Sequence, residues 1–291
     1  MTIGEILAAS IPYLEKRGIA DPRLAAEHLA ARLLHCKRLD LPLHANEALD
    51  EKRTDAMRRG ISRLASGEPL QYVLGRWDFR DITLKTDRRA LIPRPETEQL
   101  VQLLLDSDAL SSTPSPRVLD YGTGCGCIAL AIAHEAPTAR VAATDISADA
   151  LALARENADA LALADRVKFI DTSELDLSDI FDAQSFEAIV SNPPYISSAA
   201  CANLPASVRD HEPRTALDGG ADGMDMLRTV IEDALMLLVS GGMLFLEFGS
   251  EERQALPLIR FLEEAGFEDI RIAKDLRGAE RLLSARLAAG M

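Results

Sequence analysis

No two cysteines in this chain have the two-residue gap of a zinc or redox hook. Only four occur, Cys36, Cys125, Cys127 and Cys201. The closest pair, Cys125 and Cys127, shares a glycine-rich loop with one residue between them. That pattern excludes a disulfide framework and a sequence-legible zinc site, and predicts reduced thiols in a reducing compartment. Long apolar runs are missing too: no stretch approaches the roughly 18 residues of a membrane span. The first residues carry Glu5, Glu15, Lys16 and Arg17 inside an amphipathic pattern, unlike the apolar stretch of a signal peptide. The expectation is a cytoplasmic protein with no membrane partner. Basic side chains are in deficit, 32 Lys+Arg against 46 Asp+Glu, net −14. The deficit is one-sided: residues 1–114 hold 17 of each sign, and residues 115–291 hold 15 basic and 29 acidic. A surface that grips nucleic acid needs a basic face, so the second part argues against that partner.

What is present is ordinary globular composition, 47% apolar and 27% charged, in 291 residues. That length suits one large domain or two modest ones. The chain opens on helical signals. Thr2-Ile3-Gly4-Glu5 has the capping-box form, followed by Ile3, Leu7, Ile11 and Leu14 at helical spacing. Asp21-Pro22 marks a second start, and Leu24, His28, Leu29 and Leu33 continue that helix. Met57, Ile61 and Leu64 mark a third helix. A helical bundle is expected over 1–66. Gly67-Glu68-Pro69 breaks it, and residues 70–85, which hold the only Trp, read as a hairpin within a linker over 67–90. Pro93-Arg94-Pro95 then stiffens the chain before a helix over 98–105.

From Arg117 on, apolar strands alternate with helices. Strands are expected at 117–120, 140–144, 167–170, 186–191, 243–248, 269–272 and 281–287. Helices are expected at 128–134, 148–160, 224–239 and 251–265. This alternation implies an α/β fold, a doubly wound, mostly parallel sheet. Ligands in such sheets bind beyond the carboxyl ends of strands.

Three groups sit there. The first is Asp120-Tyr121-Gly122-Thr123-Gly124-Cys125-Gly126-Cys127, joining a strand to a helix. Its glycines let the backbone turn tightly and approach a ligand, and the N–H groups of the following helix favour an anionic group. Read from Gly124 the pattern is GxGxxA, so a dinucleotide remains open. The second is Asp145, at the next strand end, an acid able to accept ribose hydroxyls or to cap a helix. With the loop it signals a nucleoside cofactor, a nicotinamide dinucleotide or S-adenosylmethionine. The third is Asn192-Pro193-Pro194-Tyr195, straight after a buried strand. Two prolines remove two donors and fix φ, leaving carbonyls as acceptors. Asn192 adds an amide oxygen and Tyr195 an aromatic face. Together they suit a clamp for a planar –NH2 group, whose nitrogen is a poor nucleophile until it is positioned and its hydrogens are accepted.

The loop with Asp145 resembles the S-adenosylmethionine site of class I methyltransferases, and Asn192–Tyr195 resembles the motif of enzymes that methylate planar nitrogens. Further segments narrow the likeness: Gly67–Gly75, Leu91-Ile92-Pro93-Arg94-Pro95-Glu96-Thr97-Glu98 and Glu212-Pro213-Arg214-Thr215-Ala216-Leu217-Asp218-Gly219-Gly220. Over essentially its whole length the chain is similar to the bacterial release factor glutamine methyltransferases. The resemblance implies a seven-stranded Rossmann-like methyltransferase domain over 91–291, with the helical bundle docking substrate. It implies methyl transfer from S-adenosylmethionine, leaving S-adenosylhomocysteine, to the amide nitrogen (N5) of the Gln in the Gly-Gly-Gln motif of class 1 peptide chain release factors. Gly122, Thr123, Gly124, Cys125 and Gly126 would hold the methionine part of the cofactor and Asp145 its ribose. Asn192, Pro193, Pro194 and Tyr195 would hold the Gln amide, with Asn192 also near the methyl. A monomer with no metal is expected. The chain departs from the family after the third strand, where an acid and an aromatic residue commonly follow; Asp171, Glu174 and Leu175 are the candidates for the adenine contact.

The five histidines have no partner at catalytic spacing, and no general base is evident; a methylated amide nitrogen is acidic enough to lose its proton to water. Competing readings are an N-methyltransferase acting on an exocyclic amine of a nucleic acid base, a nicotinamide-dependent oxidoreductase and a non-catalytic binding module. The acidic second part opposes the first. The missing proton donor and the Asn-Pro-Pro-Tyr turn oppose the second, and the intact constellations oppose the third.

Overall fold

The computed structural model describes residues 1–250 and 253–290. They divide into two compact units, Met1–Trp77 with Pro205–His211, and Asp78–Leu204 with the described residues from Glu212 on.

The first unit is helical. It contains α1 (Ile3–Glu15), α2 (Pro22–Leu34), α3 (Glu51–Ala65) and the short α4 (Leu70–Leu74). The capping box of α1 is formed: Glu5 N–H donates to Thr2 Oγ1 (3.3 Å) and Thr2 N–H to Glu5 Oε2 (2.9 Å). Asp21 stands at the N-cap of α2 with Pro22 at the first turn, but its side chain makes no capping bond. The buried face of α2 is rich in alanine. Leu24 is 39% exposed, and Ala25, Ala26, Leu29 and Ala30 face the core with Ile3, Ile6, Leu14, Met57, Ile61 and Leu64. Small residues let the helices approach closely. Gly60 on α3 belongs to the same device, since a Cβ there would come 2.3 Å from Leu29 Cδ2.

The hairpin expected over 70–85 is shorter. Residues 70–74 are α4, which begins after Pro69, buries Tyr72 and ends at Gly75 in the left-handed region (φ 70°). Gly75 stops the helix because it takes that conformation without a Cβ clash. The hairpin is β1 (Arg76–Phe79) with β2 (Ile82–Lys85). At its turn Arg80 takes φ 51°, and its guanidinium donates to Glu135 (2.6 and 2.7 Å), to the Glu98 carbonyl (2.9 Å) and to Gln102 (2.8 Å).

The second unit continues with α5 (Pro95–Leu105), β3 (Arg117–Tyr121), α6 (Cys127–Glu135), β4 (Arg140–Asp145), α7 (Ala148–Ala160), β5 (Val167–Asp171), α8 (Leu177–Ile180), β6 (Phe186–Ser191) and α9 (Ser198–Cys201). The turn α10 (Ala206–Arg209) lies in the segment that groups with the first unit. Then come α11 (Asp225–Leu237), β7 (Leu238–Glu247), α12 (Ala255–Glu264), β8 (Phe267–Lys274) and β9 (Glu280–Leu287). The helix expected over 251–265 begins, as described, at Ala255; positions 251 and 252 lie outside the described residues.

Seven strands form one sheet in the order β5-β4-β3-β6-β7-β9-β8. The pairs from β5 through β7 are parallel, and β9 is antiparallel to both its neighbours. Alternate strand residues bury into two clusters. Val118, Val141, Ala143, Ala188 and Val190 pack with apolar residues of α5, α6 and α7. Leu119, Ala142, Ile189, Leu244 and Leu246 pack with those of α11 and α12. The first neighbours of β3 are the consecutive β4 on one side and the later β6 on the other, so the chain changes direction across the sheet at β3. The crevice beyond the carboxyl ends of β3 and its neighbours is therefore where a ligand belongs.

Candidate active site

A cavity of about 830 Å³ opens there, within the second unit. It is lined by Gly122, Thr123, Gly124, Cys125, Asp145, Asn192, Pro193 and Pro194. Two predicted site residues, Gly126 and Tyr195, are not in its wall. Gly126 instead starts α6 at φ 86°, where a Cβ would press on Leu130 (3.1 Å) and Ala154 (3.2 Å).

The glycine loop is held mainly by its own amides. The N–H groups of Gly122 and Thr123 both donate to the Thr144 carbonyl (2.9 and 2.8 Å), Gly126 N–H to the Thr123 carbonyl (2.9 Å) and Gly124 N–H to Asp145 Oδ2 (2.8 Å). These bonds fix the loop's shape, and in the first turn of the following helix the Ala129 N–H donates to Asp120. Asp120, fully buried beneath the loop, accepts from Thr123 Oγ1 (2.6 Å) and Ala129 N–H (3.0 Å) through Oδ2, and its Oδ1 has no partner among the described residues. Burial pushes its carboxyl up to about 7; the hydrogen bonds from Thr123 and Ala129 oppose this and nearby Asp145 adds to it. Asn157 on α7 ties the loop down from outside, donating to the carbonyls of Cys125 (2.9 Å) and Lys85 (3.2 Å) while accepting from Lys85 N–H (2.7 Å).

Asp145 does not cap α7; Ser147 does, accepting from Ala150 N–H (3.2 Å). The two oxygens of Asp145 each accept one backbone bond, from Gly124 and from Ser147 (both 2.8 Å). A carboxylate has about four acceptor positions, so each oxygen keeps capacity for a hydroxyl. Burial raises its carboxyl above the usual range. Beside it the wall turns apolar: Ile146 is 62% exposed and Leu175 52%. Of the three adenine candidates only Leu175 lines the cavity; Asp171 Oδ1 accepts from Ser173 N–H (2.9 Å).

On the opposite wall Asn192 Nδ2 donates to Thr97 Oγ1 (2.9 Å), and Thr97 Oγ1 donates to Glu247 Oε2 (2.6 Å). Tyr195 turns its hydroxyl to Glu247 Oε1 (3.0 Å), so its ring is committed to packing beneath the site. Its carbonyl accepts from Gln254 Nε2 (2.8 Å). The carbonyls of Asn192, Pro193 and Pro194 take no hydrogen bond among the described residues and remain acceptors, as the prolines predict. Glu247 is 1% exposed; burial raises its carboxyl and Glu96 adds to this, while the Thr97 and Tyr195 hydroxyls and Arg281 lower it.

Two of the three segments that narrow the family likeness meet at the same wall. Buried Glu212 accepts from Ile92 N–H (3.0 Å) and from Arg94 (2.6 Å), stapling residues 91–98 to residues 212–220. Gly219 lies so close to the Pro194–Tyr195 backbone that a Cβ would meet Pro194 O at 2.6 Å and Tyr195 Cα at 2.9 Å. Thr97, Glu247, Asn157 and Glu212 were not singled out from sequence as site residues. Thr97 and Glu212 sit inside recognised segments, while Glu247 ends an apolar strand and Asn157 lies in an ordinary helix.

The architecture and the strand-end cavity define a methyltransferase fold. Residues 97–206 match the methyltransferase small domain, and residues 5–75 match the PrmC N-terminal domain. The chain is 37% identical to the release factor glutamine methyltransferase of Rhodopirellula baltica, over 99% of this chain and 97% of that one. It is 39% identical to that of Deinococcus radiodurans over 100% of both. The solved hMettl16 catalytic domain shares the fold, with a TM-score of 0.57 at 19% identity over 79% of this chain and 81% of that one. The chain belongs to the release factor glutamine methyltransferase family.

Proposed function

We propose that this protein transfers a methyl group from S-adenosylmethionine to the side-chain amide nitrogen of the Gln in the Gly-Gly-Gln motif of class 1 release factors. The observation that carries this reading is the Asn192 wall. The amide nitrogen of Asn192 is engaged by Thr97, which leaves Oδ1 and the carbonyls of the two prolines and Asn192 as a group of acceptors with no donor among them. A primary amide presents two N–H donors in one plane and matches that arrangement.

The facing wall suits the cofactor. Gly122 (φ 76°) has nothing within 4 Å of where a Cβ would stand, so the backbone surface is open to a ligand. Gly122 through Cys125 would border the methionine part. Asp145 has lone pairs left for ribose hydroxyls, and Ile146 and Leu175 offer apolar surface to a flat base. The cofactor, when bound, supplies an electrophilic methyl group. The residues of this chain orient the amide, accept its hydrogens and so direct the nitrogen lone pair at that methyl. No titratable side chain of the Asn192 wall need take the proton released afterwards. The helical unit would dock the release factor, in the cytoplasm where translation ends, and a monomer suffices because the cavity lies within one unit. Among the described residues no helix is long and apolar enough to cross a membrane.

The test is mass spectrometry of an unmodified release factor, total tRNA and ribosomal RNA after separate incubation with protein and labelled cofactor. Label on the Gln of Gly-Gly-Gln is expected, and label in tRNA or ribosomal RNA instead would replace the substrate.

A further inference from the structure

The side-chain amide of Asn192 has a donor end and an acceptor end, and they are not equivalent toward a substrate amide. An incoming –NH2 group needs an acceptor; a donor facing it leaves both N–H groups unpaired in a desolvated site, which is costly. Something must hold the amide in one of its two orientations.

The geometry around Thr97 does this. A threonine hydroxyl carries one proton and can accept through its lone pairs. Thr97 Oγ1 lies 2.6 Å from Glu247 Oε2. Burial opposes the ionised form of Glu247, but the Thr97 and Tyr195 hydroxyls and Arg281 favour it, and as a carboxylate it can only accept. The proton of Thr97 is therefore spent on Glu247. Toward Asn192, 2.9 Å away, Thr97 is left with lone pairs alone, so the atom facing it must be the N–H-bearing Nδ2. Oδ1 then points away from Thr97 and is left for the ligand. The second oxygen of Glu247 is occupied by the Tyr195 hydroxyl at 3.0 Å, so both carboxylate oxygens receive protons and neither has one to give. The sheet sets up the arrangement: Ser191 on β6 is in register with Leu246 on β7, which puts the next residues, Asn192 and Glu247, at adjacent strand ends. Thr97 reaches them from the first turn of α5 and is itself 1% exposed.

We infer that Glu247 is a positioning residue: acting through Thr97, it fixes the direction of a hydrogen-bond chain that ends at Asn192 Oδ1, and so presents an acceptor rather than a donor to the substrate amide. Tyr195 belongs to the same device as the second donor to Glu247, which gives it a role although it does not line the cavity. The inference rests on the reading that Asn192 holds the substrate amide nitrogen.

The polarity depends on a carboxylate at 247 and a hydroxyl at 97, and each can be changed without altering shape. In Glu247→Gln the residue at 247 can donate as well as accept, so Thr97 can turn its proton to Asn192 and the Asn192 amide is free to reverse. Thr97→Val keeps the volume and breaks the chain; Thr97→Ser keeps the hydroxyl. Steady-state methylation of a release factor is measured for the wild type and the three variants, with cofactor dissociation constants from calorimetry and melting temperatures as folding controls. Glu247→Gln and Thr97→Val are expected to lower kcat by about 100-fold, the scale seen when one preorganised polar contact to a reacting group is removed. The release factor KM and the cofactor dissociation constant should stay within about threefold, and Thr97→Ser should return to within a few-fold of wild type. A Thr97→Val or Glu247→Gln enzyme with wild-type kcat overturns the inference, as does a loss carried by KM alone or a Thr97→Ser variant as impaired as Thr97→Val. If Thr97→Val does not fold, the isosteric Glu247→Gln decides by the same criteria. A wild type that leaves the release factor unlabelled overturns the functional reading itself, whereas a labelling wild type matched by Thr97→Val or Glu247→Gln overturns only the role of Glu247.

Discussion

The two walls of the cavity are built by different means. On the Gly122–Asp145 side the backbone does the shaping: glycines at positive φ, amides turned onto Thr144 and Asp145, and Asp120 beneath the loop. On the Asn192 side a chain of side chains does it, from Asn192 through Thr97 to Glu247 and on to Tyr195. A wall made of backbone tolerates change in side chains outside its glycines and its anchoring carboxylates. A wall made of directed hydrogen bonds is sensitive to the loss of a single proton donor. The first kind suits a constant cofactor; the second suits choosing which group is to react.

Substitutions on each side separate the two. Asn192→Ala should lower kcat by about 10²- to 10³-fold while the cofactor dissociation constant barely moves; full turnover in that variant would remove the clamp. Gly219→Ala forces a Cβ against the Pro194 and Tyr195 backbone and should cost up to about 3 kcal/mol of stability, with poor turnover in what remains folded. A Gly219→Ala protein with wild-type urea midpoint and kcat would show that this approach is not needed. On the other wall Asp145→Ala should weaken cofactor binding by about 1–3 kcal/mol and change the kcat of saturated enzyme far less; calorimetry giving an unchanged constant would move the ribose elsewhere.

The smallest effect concerns pH. Asp120 has its folded-state carboxyl pushed up to about 7, against an ordinary value of 3.8. The folded chain holds that proton more tightly than the unfolded chain. The stability this adds is complete below the unfolded value and is lost as pH rises through the folded one. Asp120→Asn removes the dependence, so relative to wild type the variant should gain about 1 kcal/mol between pH 6 and pH 8. Urea midpoints at the two pH values give this directly, and parallel curves would mean that Asp120 is not protonated in that range.

The two walls also differed in how far the sequence revealed them. The glycine loop, Asp145 and Asn192–Tyr195 are contiguous motifs at strand ends, and the alternation of strands and helices located them. The Thr97–Glu247 bond joins residues 150 positions apart, and nothing local to Glu247 sets it off from the apolar strand it ends. Tyr195 was legible as part of its motif but not in its orientation, because the carboxylate that turns it lies on another strand. In the helical unit, the alanine face of α2 was hidden by larger residues at equally good helical spacing, and the burial of Ala25, Ala26 and Ala30 shows which face is inside. The segment 70–74 carries strand-forming residues, yet Pro69 and Gly75 bracket it into a single helical turn.

The most direct measurement is methyl transfer from labelled S-adenosylmethionine to an unmodified class 1 release factor, beside the same factor with Ala for the Gln of Gly-Gly-Gln, and beside total tRNA and ribosomal RNA. One methyl on that Gln, absent from the Ala form and from both RNAs, is the predicted result. Label on RNA, or on the Ala form as strongly as on the Gln form, would contradict the account of the Asn192 wall as a clamp for a glutamine amide.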